Sequence, residues 1–454
     1  MKTLLRFIFI GFLLAGFYTC NKENPSIDEE NLPIAKVELP QINIITNGVE
    51  IVDEPKITAG MLVSADDVID FSGIIGIEIR GSSSQMFPKK QYGVETRDEA
   101  GDGLDVSILG FPEEEDWILY APYSDKSLIR NILIYDLSRD INRYASRAKF
   151  AEVSINGSYN GLYVFMEKLK RDSNRININK LNVDENSGED LTGGYILKID
   201  KASGFDETLY TSNNSITSKY APNNALLNQK IYFNYDTPKE EDITPEQKEY
   251  ITNYMNIFED ALAGENYTDP NEGYSKYIDT NSFIDFFLLN ELSNNVDGYR
   301  LSTWLTKDKN EKLKMGPIWD FNLAFGNANY CGGGETNVWA YKFNGRCSND
   351  FWQIPFWWDR LLTDPAFIVQ VQARWQELRS GAFSNQAISN KIDSYTEMLN
   401  TSGAVEANFQ KWPVLNEYVW PNNYVGNSYP AEINYIKNWI DQRLLWLDTE
   451  IMAL

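Results

Sequence analysis

Short strand-like segments early in the chain and long amphipathic helices later predict an α+β fold of two lobes, β-rich over about 36–168 and helical over about 190–454. From Ile42 to about Ile79 the apolar runs INIITNGVEIV, KITAGMLVSA and GIIGIEIRG are separated by turn residues, the pattern of strands in an open sheet. The runs FAEVSING (150–157) and GLYVFMEK (161–168) flank a Gly-containing turn and add two more strands. Helical spacing then dominates from 243 to 450, and no internal repeat interrupts it.

Taken in order, the chain opens with Lys2 and Arg6, an apolar run from Phe7 to Phe17, and Cys20. Residues 1–19 are therefore a signal peptide, too short to span a bilayer. A cysteine directly behind the apolar run is where lipoprotein signal peptidase cuts, so Cys20 is the expected lipidated N-terminus. Residues 20–35 are charged and poor in large apolar groups and read as a flexible tether. Residues 88–96 continue the strands, and 98–103 (DEAGDG) form a turn whose carboxylates could hold a cation such as calcium but more often make a solvated hairpin tip. A helix is expected over about 125–143, with Asp125 as cap and Leu128, Ile132, Tyr135 and Ile141 on one face. An Asn-rich linker at about 169–190 leads to a strand at 194–200. The helix at 243–264 carries its own start signal, Thr244 as cap, Pro245 in the first turn and Gln247 three residues after the cap. Helices at 281–297 and about 430–450 follow, the last with Ile433, Ile436, Trp439, Ile440 and Leu444 at helical spacing.

Composition excludes several chemistries. With 65 acidic and 41 basic residues, a formal charge of −24, the chain is unsuited to nucleic acid, whose binding draws on Lys and Arg. It has no histidine, so Ser-His-Asp and Cys-His catalysis are absent, and so is the commonest zinc ligand. Carboxylates, Lys, Tyr or a bound metal must do any chemistry. Once Cys20 carries lipid, Cys331 and Cys347 remain as a pair in an oxidising compartment and are expected to form a disulfide.

The segment 294–327 concentrates candidate chemistry. Two acidic positions, Asp297 and Asp320, fall at the ends of neighbouring hairpin-like elements, and Asp320 with Asn322 offers two oxygens to a hard cation. By residue type alone these aspartates fit turn-capping and loop hydrogen-bonding roles better.

Five blocks in register point further: IRGSSSQ with PKKQYGVE (79–95), LGFPEEEDWILYAPYSDKSLIRN (109–131), NGSYNGLYVFMEK (156–168), NVDGYRLSTWLTKD (295–308) and GPIWDFNLAFGN (316–327). Together they resemble the successive motifs of the CotH family of atypical secreted kinases, in its lipoprotein branch. The resemblance implies a protein-kinase-like bilobal fold for 36–454, with ATP and Mg or Mn between the lobes. In phosphoryl transfer a protein mainly positions groups and neutralises charge, and the resemblance distributes those tasks. Arg80 and the loop of Gly81, Ser82 and Ser83 would contact phosphates; Lys90, rather than Lys89, would reach them, oriented by Asp136; Glu167 would sit at the hinge beside adenine. Asp297 matches the catalytic aspartate and Asp320 the metal-binding one. Asn322 stands where many relatives have a second Asp, and Ser302 where many have Asn.

The implied activity is transfer of the ATP γ-phosphate to Ser or Thr of exported proteins by an enzyme of the cell envelope, held at the outer membrane or cell surface by lipid alone. The competing reading is a catalytically inactive surface lipoprotein that binds a protein or glycan through aromatics such as Trp352, Phe356, Trp357 and Trp358; those aromatics suit a core better.

Overall fold

Period-two alternation from Gln41 onward produces seven strands, which close on themselves. The computed structural model describes residues 38–202, 207–224, 226 and 228–454; the expected signal peptide, Cys20 and the tether lie outside them. Strands β1 (Gln41–Ile45), β2 (Ile57–Ala65), β3 (Val68–Arg80), β4 (Gln91–Arg97), β5 (Asp116–Tyr120), β6 (Ala148–Ile155) and β7 (Ser158–Glu167) form a closed barrel in the order β1-β2-β3-β4-β5-β7-β6. The open sheet expected from the sequence is thus corrected. Closure depends on β1 lying parallel to β6, with Gln41 opposite Glu152. Alternation tells which face of a strand is buried; it does not tell which distant strand the first one meets.

Ile44, Val63, Ile77, Val94, Trp117 and Phe165 fill the barrel, with Phe165 stacked on Trp117 at 5.1 Å between ring centroids. On the opposite faces of β5 and β7, Ile118, Tyr120, Val164 and Met166 join the main core. These two strands are buried on both sides, and their near-continuous apolar sequences follow from that. Leu133 and Leu137 of α1 (Arg130–Asp140) belong to the same core. The helix starts five residues later than expected because Leu128 sits at φ +67° and interrupts helical geometry. Asp125 still organises the start: its carboxylate accepts from the backbone N–H of Ser127 at 3.1 Å and of Arg130 at 2.9 Å.

A second, five-stranded sheet runs β12-β11-β8-β10-β9, built from β8 (Tyr195–Ile199), β9 (Ser215–Thr217), β10 (Tyr232–Thr237), β11 (Thr303–Lys307) and β12 (Lys314–Met315). Helix α2 (Pro245–Ala263) has the full capping box, Thr244 with Gln247, that its sequence announces. Helix α3 (Thr280–Ser293) ends four residues before the expected Asp297, since Asn294 turns left-handed at φ 43°, a conformation Asn tolerates, and its Nδ2 donates to the carbonyls of Gly332 and Glu335, each at 2.9 Å. Five further helices follow before the last: α4 (Phe343–Arg346), α5 (Trp357–Leu361), α6 (Pro365–Arg379), α7 (Asn385–Thr401) and α8 (Ala404–Lys411). The last helix, α9 (Tyr429–Glu450), locks onto α3 through a fully buried ion pair, Arg443 to Glu291 at 3.1 Å. Cys331 and Cys347 are disulfide-bonded, their Cα atoms 5.7 Å apart. Trp357 and Trp358 are core residues, 0% and 1% exposed, packed on Phe283 and its neighbours. Among the described residues no helix is long and apolar enough to cross a membrane.

Candidate functional site

One cleft of about 340 Å³ gathers side chains from the barrel, the second sheet and the loops after α3 and β12. The end of β3 and its following turn bring Arg80, Gly81, Ser82 and Ser83 to it, and Gly81 adopts φ +102°, where a side chain would be strained. Asp297, Ser302, Asp320 and Asn322 line the same space. Eight of the residues singled out from the sequence therefore meet.

Helix α1 holds the Asp320 loop. Phe321 N–H donates to Asn131 Oδ1 at 2.7 Å, Asp320 N–H donates to the Tyr135 hydroxyl at 3.1 Å, and Arg130 Nε donates to the Ala324 carbonyl at 3.0 Å. Tyr135 also stacks on Trp319, 6.0 Å between centroids. Asp320 is left at φ +61°, a left-handed conformation that among non-glycine residues suits Asp and Asn. Asp297 lies in the turn beyond α3 and accepts from Arg300 at 2.6 Å and from the Tyr330 hydroxyl at 3.2 Å.

The electrostatics of the cleft are those of crowded carboxylates facing cations. Asp320 opens to cleft water but is otherwise ringed by protein; lost solvation, with Asp297 and Asp200 nearby, outweighs Arg80 and pushes its pKa up to about 6. Burial likewise raises Asp200 against the pull of Lys198; its carboxylate accepts from the backbone N–H groups of Lys201, at 2.9 Å, and Ser302. Burial would depress Lys198, but Asp236, 2.9 Å away, and Asp200 outweigh it and hold the ammonium above its usual range. Arg80 is depressed by burial, with Asp320 opposing, and lies 5.8 Å over the Trp319 ring.

Three sequence-predicted residues are not brought to this cleft. The Lys90 ammonium donates to the Gln85 carbonyl at 2.5 Å. Its neighbour Lys89, 1% exposed, donates to the Leu162 carbonyl at 2.6 Å and Asn408 Oδ1 at 2.8 Å, and burial drives its pKa well below the usual value. Asp136 is on α1 but pairs with Arg139 and accepts from Tyr395, so it orients neither lysine. Glu167 belongs to the right segment with the wrong facing: Met166 and Lys168 line the cleft, and strand alternation turns Glu167 the other way, onto Arg147 at 2.6 Å and the Tyr144 hydroxyl at 3.0 Å.

The residues that sequence reasoning missed sit mainly on the second sheet: Lys198, Asp200, Lys201, Asp236 and Trp304. The run GYILKIDK carries a signal, alternation that places Lys198 and Asp200 on one face, but nothing local says that this face meets the barrel. Glu114, Glu115 and Asp116 form the one acidic trio with ligand-like spacing among the described residues, yet Lys170 and Arg175 already neutralise it at 2.7–3.1 Å.

The cleft thus combines opposed carboxylates, a Gly/Ser turn and four cations, Arg80, Lys168, Lys198 and Lys201. A family model described as CotH kinase protein matches residues 77–447, the greater part of the chain, and the protein belongs to that family. No curated protein matches the chain.

Proposed function

We propose that the protein is a kinase that transfers the γ-phosphoryl group of ATP to a Ser or Thr hydroxyl of an exported protein, the barrel acting as one lobe and the helical part as the other of a kinase-like pair. The observation that carries this is the meeting of Asp297, Asp320 and the Arg80–Ser83 turn in one cleft. The donor set suits a hard divalent cation, with oxygens of Asp320, Asn322 and Ser302 in the same lining. Membership of a kinase family supports ATP with Mg or Mn. The Asp320 pKa, raised first by burial and then by Asp297, fits as well, because a bound cation favours the charged carboxylate.

The metal, when bound, supplies neutralisation of phosphate oxygens; the chain's own groups do the rest. Arg80 and Lys198 offset phosphate charge, Lys198 taking the task that the resemblance assigned to Lys90, and the 81–83 turn offers backbone N–H groups. Asp297, held by Arg300 and Tyr330, accepts the proton of the acceptor hydroxyl as it attacks. Tyr120, Trp304 and Trp319 wall the cleft.

The experiment is incubation of the protein with labelled ATP, Mn²⁺ or Mg²⁺ and envelope proteins. Label transfer is expected; absence of both transfer and nucleotide-induced thermal stabilisation would overturn the reading in favour of a binding module. We also propose export and lipid anchoring through Cys20, from its place behind the apolar run. Cys20→Ser should release the protein from the membrane fraction, and unchanged fractionation would refute the anchor.

A further inference from the structure

We propose that Trp420 is the platform on which an acceptor peptide stacks a flat apolar side chain, proline or aromatic, within a few residues of the Ser or Thr that takes the phosphoryl group. This rests on the kinase reading above and adds to it a preference in the peptide. Among the described residues three large aromatics are exposed, Phe351, Tyr418 and Trp420, and of these Trp420 alone lines the cleft, at 45% exposure. A lone exposed aromatic on an ordinary surface calls for no explanation. One that lines a cleft, a single tyrosine away from its acidic residue, does.

Tyr330 sets the distance. Its hydroxyl donates to Asp297 Oδ1 at 3.2 Å, and its ring stacks on the Trp420 indole at 6.3 Å between centroids, the planes 3° apart. Arg300 donates to the same oxygen at 2.6 Å, which leaves Asp297 Oδ2 for the acceptor hydroxyl. The indole therefore lies at most about 12 Å from that carboxylate, a span that an extended peptide covers in about four residues. The platform is also held in place. Asn329 N–H donates to the Pro421 carbonyl at 2.9 Å, and Asn422 Nδ2 donates to the Ser124 carbonyl at 2.7 Å and to Asn327 Oδ1 at 2.9 Å. A group fixed in this way loses little freedom when a ligand arrives, which favours affinity.

The surroundings select an uncharged partner. Pro421, Leu301 and Leu323 share the lining, and the Asp297 carboxylate is already balanced by Arg300. A flat apolar ring gains burial and stacking against the indole. A Lys or Arg side chain would gain the indole face but find the carboxylate spent and Arg300 opposing it.

The test measures transfer by the full chain, with Mn²⁺ and labelled ATP, to an array of Ser and Thr peptides varied at about four positions on either side of the acceptor. The parent should favour Pro, Phe, Tyr or Trp over Ala at one position by about tenfold in kcat/KM. Trp420→Ala should erase that preference, raising KM for the favoured peptides about tenfold with kcat held, the mark of lost binding and not of lost chemistry. Trp420→Tyr keeps a ring and should retain most of the preference. Calorimetric ADP affinity should be equal in all three proteins. A preference that survives Trp420→Ala, a preference for Lys or Arg instead, or no preference at all overturns the inference and leaves the kinase reading standing. Weaker ADP binding by Trp420→Ala also overturns it, by giving the indole to the nucleotide. Failure of the parent to label any peptide removes the kinase reading and this inference with it.

Discussion

Replacing Asp320 by Asn should stabilise the ligand-free protein and abolish its metal-dependent nucleotide binding. The backbone permits the change, because φ is +61° and Asn accepts that conformation as readily as Asp; alanine there would add strain. The Asp320 pKa stands at about 6 against an ordinary 3.8, a difference of about two units or a ceiling near 3 kcal/mol. Because the carboxylate opens to cleft water, screening reduces the recoverable part to about 1 kcal/mol. For a unit of this size the unfolding entropy is roughly 0.9 kcal/mol per kelvin, so the melting temperature should rise by about 1 °C at pH 7.5. The sign with pH follows from linkage: with a raised folded pKa, the penalty is full above about pH 6, shrinks as pH falls through it, and is gone below 3.8. Scanning calorimetry of parent and variant should show the gap closing between pH 7.5 and 5. Added Mn²⁺ and ATP should raise the melting temperature of the parent alone, less so as pH falls and protons compete for the carboxylate. A variant that melts several degrees below the parent at pH 7.5, or a gap independent of pH, would refute the argument and make Asp320 a structural loop residue.

Asp297→Asn should leave nucleotide affinity near the parent value and slow transfer by about 10²- to 10⁴-fold. It should also lower ligand-free stability by about 1–2 kcal/mol, because Arg300, 3% exposed, loses the charged partner at 2.6 Å; single-turnover kinetics and melting curves check both, and normal transfer would remove Asp297 from the mechanism. Glu291→Gln should cost about 3–5 kcal/mol, since it leaves Arg443 buried without its counter-charge; denaturant unfolding measures this, and a loss below about 1 kcal/mol would show the pair to be dispensable. Alkylation without prior reduction should find Cys331 and Cys347 blocked in protein from the envelope, and both thiols free would count against the bond there.

Local signals carried local structure well. The Thr244–Gln247 box starts α2 where its sequence says, and the apolar spacing of Ile433 to Leu444 gives α9 within a residue at either end. What failed depended on single residues or distant partners. Leu128 and Asn294 in left-handed geometry shorten two helices, and the β1–β6 pairing closes a barrel that period-two runs cannot distinguish from an open sheet. In the cleft, the acidic positions and the Arg80 turn were legible because each lies in a short, distinctive block. Lys90 and Asp136 were misplaced because motif order gives the neighbourhood but not the facing of a side chain; Lys198 was missed because it enters from a second sheet, and the Arg80 turn with which it shares the cleft lies more than a hundred residues earlier.

The grip of α9 on the loops behind the cleft has a consequence for biosynthesis. Tyr435 donates to the Gly326 carbonyl at 2.8 Å, Trp439 to that of Gly334 at 2.8 Å, and Arg443 to those of Thr336 and Val338 at 2.9 and 2.6 Å. Gly326 leaves no room for a side chain against Trp439, which a Cβ would meet at 2.5 Å, so the fit is made once and tightly. The helix that makes this fit begins at Tyr429, more than a hundred residues after Asp320. Until it has docked, the segment bearing Asp320 lacks its support from behind, and a chain synthesised only as far as the acidic motifs carries them without that support.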